Sequence, residues 1–150
     1  MHGGLFHALG RRGLMLCIAM TCLALVLPSC GKRRKAVYPV HGKVFDNQDK
    51  PAVGAMIVFH PSDGGNSDSN TATGTVQDDG SFSLTTYEKD DGAPEGDYVA
   101  TIEWRPKGQG FGAPDGPDRL NGQLSNKANS KLRFKVGNQP DNVLEPIKLP

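Results

Sequence analysis

The sequence predicts an all-β fold, a sandwich of seven short strands in two packed antiparallel sheets, and three observations carry that prediction. Alternation of apolar and polar residues recurs in short segments from Val40 to Leu149. The 150 residues include 19 glycines and 11 prolines but only 7% aromatics, a composition suited to many turns between short elements. No segment of this region sustains a helical apolar period; a single helical turn near 118–124 is the most that the pattern allows.

The elements follow in order. In strand 40–45, Val40, Gly42 and Val44 share one face while His41, Lys43 and Phe45 take the other, and Pro39 is tolerated because it stands at the strand entry. Residues 46–51 make a turn. A second strand at 55–60 points Ile57 and Phe59 inward. Residues 61–70 are almost wholly Gly, Ser, Asn and Asp, an exposed loop. A third strand, 71–77, meets the turn Asp78, Asp79, Gly80, where Gly80 can take positive φ, and a fourth at 81–86 directs Phe82 and Leu84 to the core. These two strands read as a hairpin. After a polar loop at 87–96, Tyr98, Ala100, Ile102 and Trp104 share a face of a central strand, 97–104. Residues 105–130 have no period and form a long excursion. Leu132, Phe134 and Val136 alternate with Lys131, Arg133 and Lys135; a turn at 137–142 then precedes a last strand carrying Ile147 and Leu149.

Gly54 to Phe59, then Ala72, Thr73, Gly74 and Thr75, then Asp79 to Leu84, and finally Gly96 to Val99, together resemble the carboxypeptidase regulatory-like domain. Asp118 to Gly122 and Pro146 to Leu149 resemble stretches of short planctomycete-type envelope lipoproteins carrying that domain. The resemblance covers roughly residues 38–149. It implies a transthyretin-like (prealbumin-like) Greek-key sandwich. It implies no catalytic residues, since such domains serve as adhesive, spacer or assembly modules.

Ahead of this body, Arg11 and Arg12 precede an apolar run at 14–27, the length of a signal peptide and too short to cross a hydrocarbon core of roughly 30 Å. Leu27, Pro28, Ser29 and Cys30 resemble a bacterial lipoprotein box, with the leucine three before the cysteine and a small residue just before it. The resemblance implies removal of residues 1–29 and lipidation of Cys30 with diacylglycerol and palmitate-type acyl chains. It also implies, because Gly31 and not Asp follows, a preference for the outer membrane, with the body facing the periplasm or the surface. The expected organisation is a signal peptide at 1–29, a basic tether at 30–36 and the sandwich at 37–150.

Charge and cysteine content agree with that plan. Lys32, Arg33, Arg34 and Lys35 form a basic collar, whereas from Ala36 onward eleven bases face sixteen acids, a net of −5. An acidic body argues against a nucleic-acid surface. The collar spaces the body from the bilayer, contacts anionic headgroups, or does both. Cys17 and Cys22 lie in the leader and Cys30 ends it, so the body has no disulfide and its core alone must hold the fold.

Catalytic chemistry finds little support. Nucleophilic catalysis needs a nucleophile with a base in reach, and no serine lies in a Gly-x-Ser-x-Gly elbow. His41 and His60 fall on strand faces opposite the expected core. The purine-breakdown hydrolases that share the transthyretin-like fold use a C-terminal Tyr-Arg-Gly-Ser motif that is missing here. Asn66, Asp68 and Asn70 begin like an EF-hand loop, but Thr71 replaces its glycine and Gln77 its bidentate glutamate. A looser calcium site would combine Asp78 and Asp79 with Asp90 or Asp91, and two separated histidines make no zinc site. Lys43, Glu103 and Asn142 stand in an order compatible with an internal isopeptide bond, though Lys43 alternates away from the core that such a bond needs.

We therefore expect no catalytic residue, cofactor or metal, and two functional readings remain. One is a membrane-anchored envelope lipoprotein with a structural or protein-interaction role. The other is a glycan- or ligand-binding module using loops 61–70, 87–96 and 105–118, with Trp104 and Phe111 as candidate contacts. Trp104 equally suits the core, because it shares the Tyr98 and Ile102 face.

Overall fold

In a computed structural model of the chain, residues 34–63, 71–108 and 115–150 are described, and among them are ten strands and no helix. They are β1 (Val37–Tyr38), β2 (Val40–Phe45), β3 (Met56–Pro61), β4 (Ala72–Thr75), β5 (Ser81–Ser83), β6 (Ala93–Pro94), β7 (Gly96–Glu103), β8 (Arg133–Val136), β9 (Asn142–Val143) and β10 (Ile147–Lys148). Seven coincide with the expected segments. The two-residue strands β1, β6 and β9 are additional.

Two four-stranded sheets form the body. One runs β4-β3-β7-β8, antiparallel throughout; in the other, β2 has β5 antiparallel on one side and both β9 and β10 parallel on the other. The expectation of purely antiparallel sheets therefore fails at the C-terminus. Chain reversal after β8 brings 142–148 back alongside β2 in the same direction, with Val40 opposite Asn142 and Val44 opposite Ile147. β1 and β6 pair as a separate two-stranded ribbon.

The alternation that predicts the strands also builds the core. Val40, Val44 and Phe82 from one sheet and Ile57, Phe59, Ala100, Ile102 and Val136 from the other are buried in one apolar cluster. Two sheets closing on a shared apolar layer make a β-sandwich. Phe134 stacks on Phe59 at 5.1 Å between ring centroids.

β7 is the central strand that its sequence announces, lying between β3 and β8. It is buried on both faces, Val99 and Thr101 included. The 124–132 segment borders its edge beyond β8: Ile102 N–H donates to the Leu124 carbonyl and Ala100 N–H to that of Leu132, while Lys127 Nζ reaches the Pro61 carbonyl. No helical turn forms at 118–124. Reverse turns replace it, from Asn121 N–H to the Asp118 carbonyl and from Gln123 N–H to that of Leu120, and left-handed Asn121 (φ 51°) and Gly122 (φ 75°) prevent helix propagation.

The expected hairpin at 71–86 keeps its turn, with Gly80 at φ 85°, but its two strands enter different sheets: β4 pairs with β3, and β5 with β2. They touch at Thr73 and Thr85, whose backbones exchange two hydrogen bonds, and again where Gln77 N–H donates to the Ser81 carbonyl. Among the described residues no bridge joins Thr75 to Ser83 between those points. The hairpin is thus the corner at which the chain passes from one sheet to the other.

Candidate ligand groove

That corner makes a groove of about 510 Å³. Outward positions alternate with core positions on both strands, so Thr73 and Thr75 from β4, and Ser81 and Ser83 from β5 with Thr85 just beyond it, line the same concavity. Gln77 lies near the turn, Lys89 and Asp90 come from the following loop, and Met56 adds an apolar rim that is 46% exposed.

Behind Ser83 stands His41, its direct partner on β2. Ser83 Oγ is 2.9 Å from His41 Nδ1, and Asp141 Oδ1 lies 3.4 Å from His41 Nε2. The carboxylate favours a proton on Nε2, which leaves Nδ1 as the acceptor for the Ser83 hydroxyl proton. The serine oxygen then turns lone pairs outward. Alternation alone assigns His41 and Ser83 to outward faces. Their meeting depends on β2–β5 pairing, and the arrival of Asp141 depends on the parallel return of β9.

Loop 87–96 is less open than its composition implies. The Asp91 carboxylate accepts N–H bonds from Thr86, Tyr87 and Glu88, Thr86 Oγ1 donates to the Gly92 carbonyl, and Ala93 and Pro94 are buried. Asp79 is likewise engaged, accepting from the Ser81 backbone and hydroxyl; the hydroxyl, its main cause, holds this carboxyl below the usual range. These carboxylates cap turns, and no group of three or more metal-ligating side chains forms among the described residues. A smaller cleft of about 370 Å³ beside Lys35 carries Asp63, Glu95 and Asp97.

Trp104 lies at the end of β7, partly buried against the core. Its indole N–H donates to the Val53 carbonyl at 2.9 Å, and the Arg119 guanidinium sits 4.7 Å from the ring centroid. A sugar approaching that face meets Arg119 first. Asp118 fixes this end of the molecule, accepting from the N–H groups of Trp104, Leu120 and Gly122. Burial opposes its charge, but those three donors prevail and hold its carboxyl below the ordinary value. Phe111 and Cys30 lie outside the described residues, as do Asn66, Asp68 and Asn70.

The isopeptide candidates are not assembled. Lys43 is exposed on β2 opposite Ser81, and Glu103 belongs to the other sheet. The Asn142 carboxamide is occupied, donating to the Pro39 and Gly137 carbonyls and accepting from Gly137 N–H. His60 is half-buried, with Nε2 3.0 Å from Thr101 Oγ1.

No family model and no curated protein matches this sequence. Among solved structures, the chain is similar to a 9R-lipoxygenase from Cyanothece PCC8801, at 13% identity and a TM-score of 0.42, over 93% of this chain and 20% of that one. It spans about a fifth of the lipoxygenase's length.

Proposed function

We propose that this chain is a cell-envelope lipoprotein, anchored through acylated Cys30, whose β-sandwich has a non-catalytic structural or protein-interaction role. The carrying observation is the run Leu27, Pro28, Ser29, Cys30, placed where an apolar leader ends and immediately before the basic collar. One acyl chain binds a membrane marginally and two or three bind it stably, because each buried methylene contributes about 0.8 kcal/mol. Gly31 favours the outer membrane. Within the all-β body, seven strands at the expected positions, set in two sheets, support the finer reading of a transthyretin-like Greek key of the carboxypeptidase regulatory-like type. The turn-capping roles of Asp79, Asp91 and Asp118 support a structural use of the acidic loops.

Metabolic labelling with an alkyne fatty acid tests the anchor. Label is expected on the wild-type chain and absent from Cys30→Ser, with globomycin causing the unprocessed form to accumulate. An unlabelled wild-type chain that fractionates away from membranes overturns the reading.

A second reading, a glycan-binding module presented at the envelope, is favoured by the hydroxyl-lined groove at the sheet corner.

A further inference from the structure

We infer that the groove between β4 and β5 is where such a module takes its ligand, and that the ligand is an uncharged polyhydroxylated chain; this rests on the second reading above. Side-chain chemistry sets the class. Thr73 and Thr75 offer hydroxyls that both donate and accept; Ser81 and Ser83, whose protons go to Asp79 and His41, offer acceptor oxygens, Thr85 Oγ1, which accepts from Asp90 N–H, offers its proton, and the Gln77 carboxamide, bonded to the Thr75 carbonyl, keeps its oxygen as an acceptor. A ligand that is itself a row of hydroxyls complements that set. Lys89 and Asp90 on the rim have opposite signs, as do Asp79, bonded to Ser81, and nearby Lys43, so no single sign dominates the groove. Phe82 lines the floor but is only 2% exposed, so it presents almost no aromatic face to a flat ligand. Met56 supplies the exposed apolar flank on which the C–H face of a sugar ring can rest.

Strand geometry sets the shape. Hydroxyls at alternate positions recur about every 6.6–6.8 Å along a strand, and β4 and β5 part into different sheets between their contacts at Thr73 with Thr85 and Gln77 with Ser81, so the groove presents two rows of contacts and not one focal group. Its volume, about 510 Å³, falls within the ordinary range of ligand sites. Ser83 differs from a freely rotating surface hydroxyl. With its proton directed to His41 and Asp141 behind the imidazole, its oxygen is held as an acceptor toward the groove. An oriented acceptor loses less freedom on binding than a rotating one.

The test uses the chain as purified from membranes in detergent micelles, titrated with cellohexaose and chitohexaose and, as a charged comparison, with hexagalacturonate, while backbone amide shifts are followed by NMR. A neutral hexasaccharide should shift the amides of Thr73, Thr75, Ser81, Ser83 and Thr85. Thr75→Val combined with Ser83→Ala should weaken binding about tenfold, as expected for two lost hydrogen bonds, while the amide dispersion of the folded body is retained. Asp141→Asn should weaken it less, by freeing the His41 ring and with it the serine rotor. Shifts confined to the Trp104 and Arg119 end, or binding that the double variant leaves unchanged, overturn the groove and leave the ligand-binding reading standing. Preference for hexagalacturonate overturns the uncharged class. No shift with any of the three at millimolar concentration overturns the groove and the ligand-binding reading together.

Discussion

Tyr98 shows how one side chain ties packing to pH. Its ring lies in the core, 5.7 Å from that of Phe59, and its hydroxyl donates to the Pro94 carbonyl at 2.7 Å. Burial pushes the phenol up from 10.0 to about 12, because an ionised oxygen there loses its hydration. A folded pKa above the unfolded one gives stability that is complete below pH 10 and is lost as pH rises toward 12. Tyr98→Phe should cost about 1–2 kcal/mol at neutral pH, by leaving the Pro94 carbonyl unpaired, and should flatten the alkaline arm of the stability curve. Urea titrations at pH 7 and pH 11 measure both effects. Asp118 behaves oppositely. Its folded pKa is lowered, so its stabilisation is present above the unfolded value near pH 4 and disappears as pH falls further. Asp118→Ala should cost roughly 1–2 kcal/mol at pH 7 and progressively less as pH falls below 4, by the same titration, since the neutral acid is a weaker acceptor than the carboxylate for the three backbone donors. Neither role was legible in the sequence. Alternation correctly turned Tyr98 inward, but what its hydroxyl meets depends on the path of 93–94.

At the scale of elements, the sequence announced strands and faces better than partners. Val40, Ile57, Phe59, Phe82, Leu84, Ile102 and Val136 all lie where period-2 alternation put them, because burying one face is a local requirement that each strand records in its own residues. Partner choice leaves a weaker record. The chain gives no local sign that β9 and β10 run parallel to β2, or that β4 and β5 belong to different sheets, and the groove and the Ser83, His41, Asp141 arrangement follow from those two facts. The same limit hid the β1–β6 ribbon, whose residues 37–38 stand just ahead of the first expected strand and whose residues 93–94 fall in the expected polar loop. Its register, Val37 with Pro94 and Tyr38 with Ala93, depends on Gly92. Gly92 has φ 95°, and a Cβ built there would lie 1.8 Å from the Tyr38 carbonyl oxygen. Gly92→Ala is therefore strained twice, by backbone conformation and by collision with backbone that cannot move without unpairing the ribbon. It should destabilise by about 3 kcal/mol or more, and hydrogen exchange should show lost protection at the β1 and β6 amides before the two main sheets open. Phe82→Ala, in the core floor of the groove, should cost a further class of energy, about 3–5 kcal/mol of lost burial and cavity, read as a drop in the denaturation midpoint.

At the scale of the whole chain, the uneven charge would give the proposed tether a second task beyond length. Lys32, Arg33, Arg34 and Lys35 precede a body of net charge −5. An anionic headgroup layer attracts the collar by about 1 kcal/mol per basic residue near the surface and repels the body within a Debye length of roughly 8–10 Å. The two forces act on different parts of one chain and have opposite signs. Removing the lipid isolates this term. A chain beginning at Gly31 should bind anionic vesicles weakly and with strong salt dependence, and should ignore neutral vesicles, as measured by co-sedimentation at rising ionic strength. Replacing the four basic residues with serine should abolish that binding while the body stays folded, because Arg34 and Lys35 are exposed and stand outside the apolar cluster. Were the serine chain to bind as well as its parent, the collar would be a spacer alone. Membrane attachment would then rest on the proposed acyl anchor alone.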